Sequence, residues 1–171
     1  MRAIALFVSV LLSASLGSRA SAYEERLELS IGAMPSLAFA RDLAGGASVD
    51  LFISKGISDR WSLGASGRYS MYRYDSYAHL TELAFHGTWA LDIVRWVPRI
   101  TFGVGPALAY HEGTTRIGIG SSVRFGADRL TEFGLVGLDL RIASYSFLED
   151  AIAGRLTLGV GFRIGWLLER F

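Results

Sequence analysis

From residue 27 onward, apolar and polar or small side chains alternate with a period of two, in eight separate runs. Leu27, Leu29 and Ile31 alternate with Glu28, Ser30 and Gly32, and Val49, Leu51 and Ile53 with Asp50, Phe52 and Ser54. The same pattern holds for Trp61–Tyr69, Leu83–Leu91, Ile100–Leu108, Ile117–Phe125, Val136–Ile142 and Leu156–Trp166. A period of two puts successive side chains on opposite faces of an extended chain, so each run predicts a β-strand with one apolar face. No run approaches 18 consecutive apolar residues after the N-terminal segment, so the pattern predicts no membrane-spanning helix.

Parity alone does not say which face points inward. A soluble, lipocalin-like barrel would turn the apolar face in, whereas a membrane barrel turns it out. Three features favour the second. The face opposite the apolar one is Gly, Ala, Ser and Thr with a few charges, which suits a narrow lumen better than a water-exposed surface. Of 17 basic residues only Lys55 is a lysine, although soluble proteins usually solvate their surface with Lys and Glu. Aromatics also segregate. With the strands read as up-and-down from a periplasmic N-terminus, the connections at 34–46, 73–78, 111–115 and 146–154 lie outside. Those at 57–60, 93–97 and 128–131 lie in the periplasm, and the outer set is the longer on average, as in outer-membrane barrels. Trp61, Trp89, Trp96 and Trp166 then fall at the periplasmic end, and Tyr69, Tyr72, Tyr74, Tyr77, Tyr110 and Tyr145 toward the outer end. Amphipathic rings at both boundaries are the interface girdles of a membrane barrel.

The first 22 residues predict a secretory signal: Arg2, an apolar run from Ala3 to Leu16, and Ala20-Ser21-Ala22 as a small-x-small cleavage site. Residues 23–171 are then the mature barrel. Without Arg2 and Arg19 it carries 15 basic and 16 acidic side chains, a net charge of −1, and no basic patch that would suit nucleic acid. The absence of Cys excludes disulfides, a thiolate metal site and a Cys-linked lipid anchor.

With this signal segment, these eight alternating runs, turns such as Gly56-Ile57-Ser58-Asp59-Arg60-Trp61 and the terminal Phe171, the chain resembles the small outer-membrane β-barrel proteins, the group that includes the OmpA transmembrane domain and OmpX. The resemblance implies an all-β fold, a closed eight-stranded antiparallel up-and-down transmembrane barrel in the Gram-negative outer membrane. It implies contact with outer-membrane lipids and lipopolysaccharide, assembly by the outer-membrane insertion machinery, a monomer, and no cofactor. In that group a C-terminal aromatic helps the machinery recognise the last strand. Phe171 is odd-numbered while the outward set from Leu156 to Trp166 is even, which calls for a bulge or a short tail after Trp166.

Two irregularities are expected inside the strands: a bulge at Pro106, because proline cannot donate to a ladder, and a parity slip at Phe133 and Leu135 near Gly134. The pairs Gly103/Gly105, Gly118/Gly120 and Gly159/Gly161 look like phosphate-loop material, but no helix follows them and lumen packing explains them better. The inward charges Glu28, Asp50, Glu82 and Asp139 balance Arg68, Arg124, Arg141 and Arg163, as a narrow enclosed lumen requires. Hairpin arithmetic aligns Asp50, Arg68 and Glu82 across three strands, with Arg68 expected to bridge both carboxylates. Eight strands leave an interior that side chains fill, so a diffusion porin is not expected.

For catalysis, His79, His86 and His111 are scattered, and the His-x-Ser pair that a lipid A deacylase resemblance would want is missing. The leading expectation is therefore a non-enzymatic outer-membrane protein with an envelope-structural or surface-interaction role. A lipid A or phospholipid-modifying enzyme in the same barrel is the alternative, and a soluble periplasmic ligand carrier a third.

Overall fold

A computed structural model of the chain describes residues 26–39, 43–91, 96–131, 134–148 and 155–168. The predicted signal segment and Phe171 lie outside these residues. The chain forms eight strands: β1 (Leu27–Phe39), β2 (Leu43–Gly56), β3 (Trp61–Arg73), β4 (Tyr77–Ala90), β5 (Trp96–His111), β6 (Thr114–Thr131), β7 (Gly134–Phe147) and β8 (Arg155–Leu168). Each pairs antiparallel with its sequence neighbours, and β8 closes on β1, giving a barrel with strand order β1-β2-β3-β4-β5-β6-β7-β8. The predicted fold class holds in its architecture, and closure leaves no unpaired edge.

The strands run further than the alternation suggested. Residues 34–39 and 43–46 are not a connection: Met34 pairs with Ser48 and Phe39 with Leu43. Residues 128–131 are likewise strand, with Asp128 opposite Gly137 and Thr131 opposite Gly134. The turn after β5 is reduced to Glu112 and Gly113, whose φ angles of 49° and 79° suit a tight two-residue hairpin. Once the strands absorb these residues, the connections at the two ends are of similar length, so loop length no longer orients the barrel.

The two expected irregularities resolve differently. Pro106 makes no bulge: β5 keeps one register against β6 through Gly105↔Gly120, Pro106↔Ile119 and Ala107↔Gly118. Against β4 the pairing lapses between Glu82↔Ala107 and Phe85↔Val104 and resumes unshifted, so the proline costs ladder bonds but no residue. No parity slip occurs at Leu135 either, and Phe133 lies outside the described residues. Leu135 points inward and is buried, one step out of phase with outward Val136, and among the described residues the local departure is Gly134, at φ 141°.

Large apolar side chains cover the outside, among them Leu51, Leu83, Phe85, Val104, Ile119, Leu138 and Phe162, with Phe85 75% exposed. The inside is layered. At the end that carries turns 74–76 and 112–113, here the upper end, Tyr72, Leu80, Tyr145 and Phe147 pack with Ala38, Ala44, Ala107, Ala109 and Ala143. At the lower end Ala90 and Val97 pack with Leu130 and Leu167, and Leu135 is also buried there. Charged and hydroxyl side chains fill the space between and reach into the lower layer, where Glu28, Arg99 and Asp128 stand directly opposite Leu167, Ala90 and Val97.

Small inward residues let the walls approach. A Cβ on Gly161 would collide with the Ala33 carbonyl oxygen and with Met34 of the neighbouring strand. Gly161→Leu should therefore destabilise the barrel by about 1–3 kcal/mol through overpacking, whereas Phe162→Leu, one residue on and outward, should be tolerated. Thermal unfolding in detergent measures both, and equal midpoints for the two variants would mean that the faces are misassigned.

Candidate functional site

The densest chemistry in the described residues is the ion-pair network inside the barrel. Every one of the eight expected lumen charges, Glu28, Asp50, Arg68, Glu82, Arg124, Asp139, Arg141 and Arg163, is buried and inward. Two more join them, Arg99 and Asp128, both buried. These are five carboxylates against five guanidiniums.

The pairing falls into three groups. Asp50 accepts from Arg68 Nε at 2.6 Å and Nη2 at 3.0 Å, and from Arg124 Nη1 at 3.1 Å. Glu82 accepts from Arg141 Nη2 at 2.6 Å and from the Tyr145 hydroxyl at 2.6 Å. The third group is a chain. Asp139 meets Arg99 Nη2 at 2.5 Å, and Arg99 Nε lies 2.9 Å from Asp128. Asp128 also accepts from Arg163, which reaches Glu28 at 2.6 Å. Ser30 donates to Glu28 at 2.8 Å. The first group carries one excess positive charge and the third one excess negative charge, so the lumen is neutral as a whole.

Asp50, Arg68 and Glu82 do stand opposite one another, Asp50↔Arg68 and Arg68↔Glu82. Arg68 nevertheless does not bridge two carboxylates as expected. Its fork closes on Asp50 and its remaining reach goes to the Met34 sulfur at 3.3 Å, while Glu82 turns across the lumen to Arg141 on β7. It is Asp50 that bridges two guanidiniums. Phe52 supports this arrangement, with Arg124 4.2 Å above its ring and His86 edge-on at 5.4 Å.

The aromatic assignments split by face. Trp61, Trp96, Trp166, Tyr69 and Tyr110 stand exposed on the outside, and Trp89 is half-exposed there opposite Trp61. Tyr72 and Tyr145 do not belong to an outer girdle. Both are buried inside, Tyr72 in the upper plug and Tyr145 as a hydroxyl partner of Glu82. They share a strand end with the outer tyrosines but have the opposite parity.

The three histidines lie apart: His86 is buried in the lumen against Phe52, while His79 and His111 stand toward the upper end. His79, on the outside, accepts or donates a 2.6 Å bond with the Tyr69 hydroxyl. At the upper rim Ser76 lies between His111 Nδ1 at 3.5 Å and Glu112 Oε1 at 2.9 Å. Ser76 is thus the nearer to Glu112, and the His111 imidazole stands 4.0 Å from that carboxylate. Among the described residues no three His, Asp or Glu side chains converge as a metal site.

The network yields a ranked expectation. Asp50→Ala leaves Arg68 and Arg124 without their shared anion and should cost about 3–5 kcal/mol. Arg68→Ala should cost less, because Arg124 still neutralises Asp50. A double-mutant cycle should show larger coupling for Glu82 with Arg141 than for Glu82 with Arg68, and the reverse order would refute the pairing.

No known family model and no curated protein matches the chain. Solved structures do. The Neisserial surface protein A matches with a TM-score of 0.58 at 17% identity, covering 81% of this chain and 96% of that one. The outer membrane enzyme PagL matches with a TM-score of 0.62 at 12% identity, covering 78% and 98%. Ail, the attachment invasion locus protein of Yersinia pestis, matches with a TM-score of 0.50 at 12% identity, covering 84% and 99%. Likeness at such identities speaks for the fold, and the chain has the fold of the small eight-stranded outer-membrane barrels.

Proposed function

We propose that the protein is an integral barrel of a Gram-negative outer membrane, exported by a signal at residues 1–22, with an envelope-structural or surface-interaction role and no catalytic one. The observation that carries this reading is the inversion of the fold: large apolar side chains outside, paired charges inside. An apolar belt this continuous would aggregate in water and is what acyl chains solvate. Trp61, Trp89, Trp96 and Trp166 at the lower end, with Tyr69 and Tyr110 toward the upper, fit the two membrane–water interfaces. The side chains that fill the interior, an apolar cluster at the upper end and buried ion pairs below it, argue against a diffusion pore. Lipopolysaccharide and the insertion machinery are the partners such a barrel would meet.

The alternative is a lipid-modifying enzyme, for which the Ser76, His111 and Glu112 cluster is the specific observation, PagL being an outer membrane enzyme of this fold. The hydroxyl's preference for Glu112 over His111 favours the non-enzymatic reading.

Purified in detergent, the protein should show β-type circular dichroism and heat-modifiable gel mobility, and recovery as a water-soluble monomer would overturn the membrane reading. Val104→Arg and Leu140→Arg should each cost about 2–4 kcal/mol, and Leu43→Arg near the upper end about 0–1 kcal/mol. Incubation with lipopolysaccharide should leave lipid A unchanged by mass analysis. Loss of an acyl chain that disappears with Ser76→Ala would establish the enzyme instead.

A further inference from the structure

The outer surface of the barrel carries a groove at its lower end. It holds about 510 Å³ between β5, β6, β7 and β8, and its walls include Trp96, Arg129, Thr131, Val136, Leu138 and Phe162. Beside it, Ala127 pairs with Pro98 on one side and Leu138 on the other, so a short side chain interrupts the outward row of β6 between Arg129 and Phe125.

The groove is graded along the barrel axis. Arg129 and Thr131 stand exposed at its mouth, at the very end of β6, beside Trp96 at the start of β5. Val136 pairs with Arg129, Leu138 lies two residues deeper, and Phe162 is opposite Leu138 on β8. A fixed cation at an interfacial tryptophan, followed by an apolar trough leading into the belt, is complementary to one kind of molecule: an anionic phosphate on a hydrocarbon chain. Unlike the arginines inside the barrel, Arg129 has no carboxylate in salt-bridge reach among the described residues. Its guanidinium, exposed at the mouth of the groove, can donate forked hydrogen bonds to an anion seated there.

We propose that this groove is a specific site for one glycerophospholipid of the leaflet at the tryptophan end, with the phosphate on Arg129 and one acyl chain against Val136, Leu138 and Phe162. The proposal rests on the membrane reading. The lipid is held in one place, whereas the lipids around the rest of the belt exchange.

The test is native mass spectrometry of the full barrel released from detergent after incubation with phosphatidylglycerol vesicles, and in parallel with phosphatidylethanolamine vesicles. One lipid per barrel should persist at collision energies that strip the others. Arg129→Gln should lower its occupancy by about tenfold, the size of one lost charge-assisted phosphate bond. Leu138→Trp, which keeps the apolar face but fills the trough, should abolish retention while heat-modifiable mobility stays intact. Lys55→Gln, an outward basic residue at the same end on β2, should leave it unchanged. Equal loss in Lys55→Gln and Arg129→Gln, no adduct at all on an intact barrel, or retention of detergent or lipopolysaccharide in place of phospholipid would each overturn the site. A chain that is water-soluble without detergent would instead overturn the membrane reading beneath it.

Discussion

A charge inside this narrow barrel is almost wholly shielded from solvent, and the arrangement of the lumen follows from that constraint. Five carboxylates and five guanidiniums occupy the interior from Glu82, opposite Ala107 of the upper apolar layer, down to Glu28, Arg99 and Asp128, opposite Leu167, Ala90 and Val97. An unpaired member would keep its full desolvation cost, so the set must balance and each side chain must reach a partner. Arginine suits the task because its planar fork can serve two acceptors at once. The basic side chains of this interior are all arginine, and Lys55, the single lysine of the chain, faces outward.

The network also supplies what the ladders cannot. Backbone hydrogen bonds join each strand to its two neighbours only. Arg124 on β6 reaches Asp50 on β2, Arg141 on β7 reaches Glu82 on β4, and Arg163 on β8 holds both Glu28 on β1 and Asp128 on β6. The first two of these pairs tie opposite walls across the lumen, whereas Arg163 joins the neighbouring β1 and, past β7, β6. They resist ovalisation of the cross-section, a motion that a closed sheet of eight strands otherwise opposes only through bending. The glycines and alanines on the inner face are the other half of this design, since they leave the space through which the long arginines extend.

Much of this was legible in the period of two. The alternation located all eight strands, and parity placed the inward charges Glu28 to Arg163 correctly. Errors arose where parity was not followed to the strand ends. Arg99 and Asp128 have inward parity, but Asp128 reads as part of a connection and Arg99 lies just after one, so the pattern misses two of the five members of the third ion-pair group. Tyr72 and Tyr145 were grouped with the outer tyrosines by axial position, although parity alone turns them inside. The partner of Glu82 was not readable at all. Register brings it opposite Arg68, but the choice of Arg141 depends on which walls face each other across the lumen, a property of closure that no hairpin arithmetic contains. Pro106 misled for a physical reason: a strand can lose two ladder pairings to a proline without changing register, provided its other edge stays continuous.

Placing the charges inside also resolves a conflict that any exported membrane barrel faces. A spanning segment apolar on both faces would approach the 18 or so consecutive apolar residues that mark a transmembrane helix, and would be retained in the first membrane it met. Alternation halves the hydrophobicity of every segment while preserving a complete apolar surface once the sheet closes. In this chain the inward half is not merely polar but ionised, which makes the unfolded segments more soluble still. The cost appears only on folding, when the charges lose water, and there the partners are already positioned by strand register and closure. The same side chains therefore keep the unfolded chain dispersed and, once paired, specify one arrangement of the folded wall.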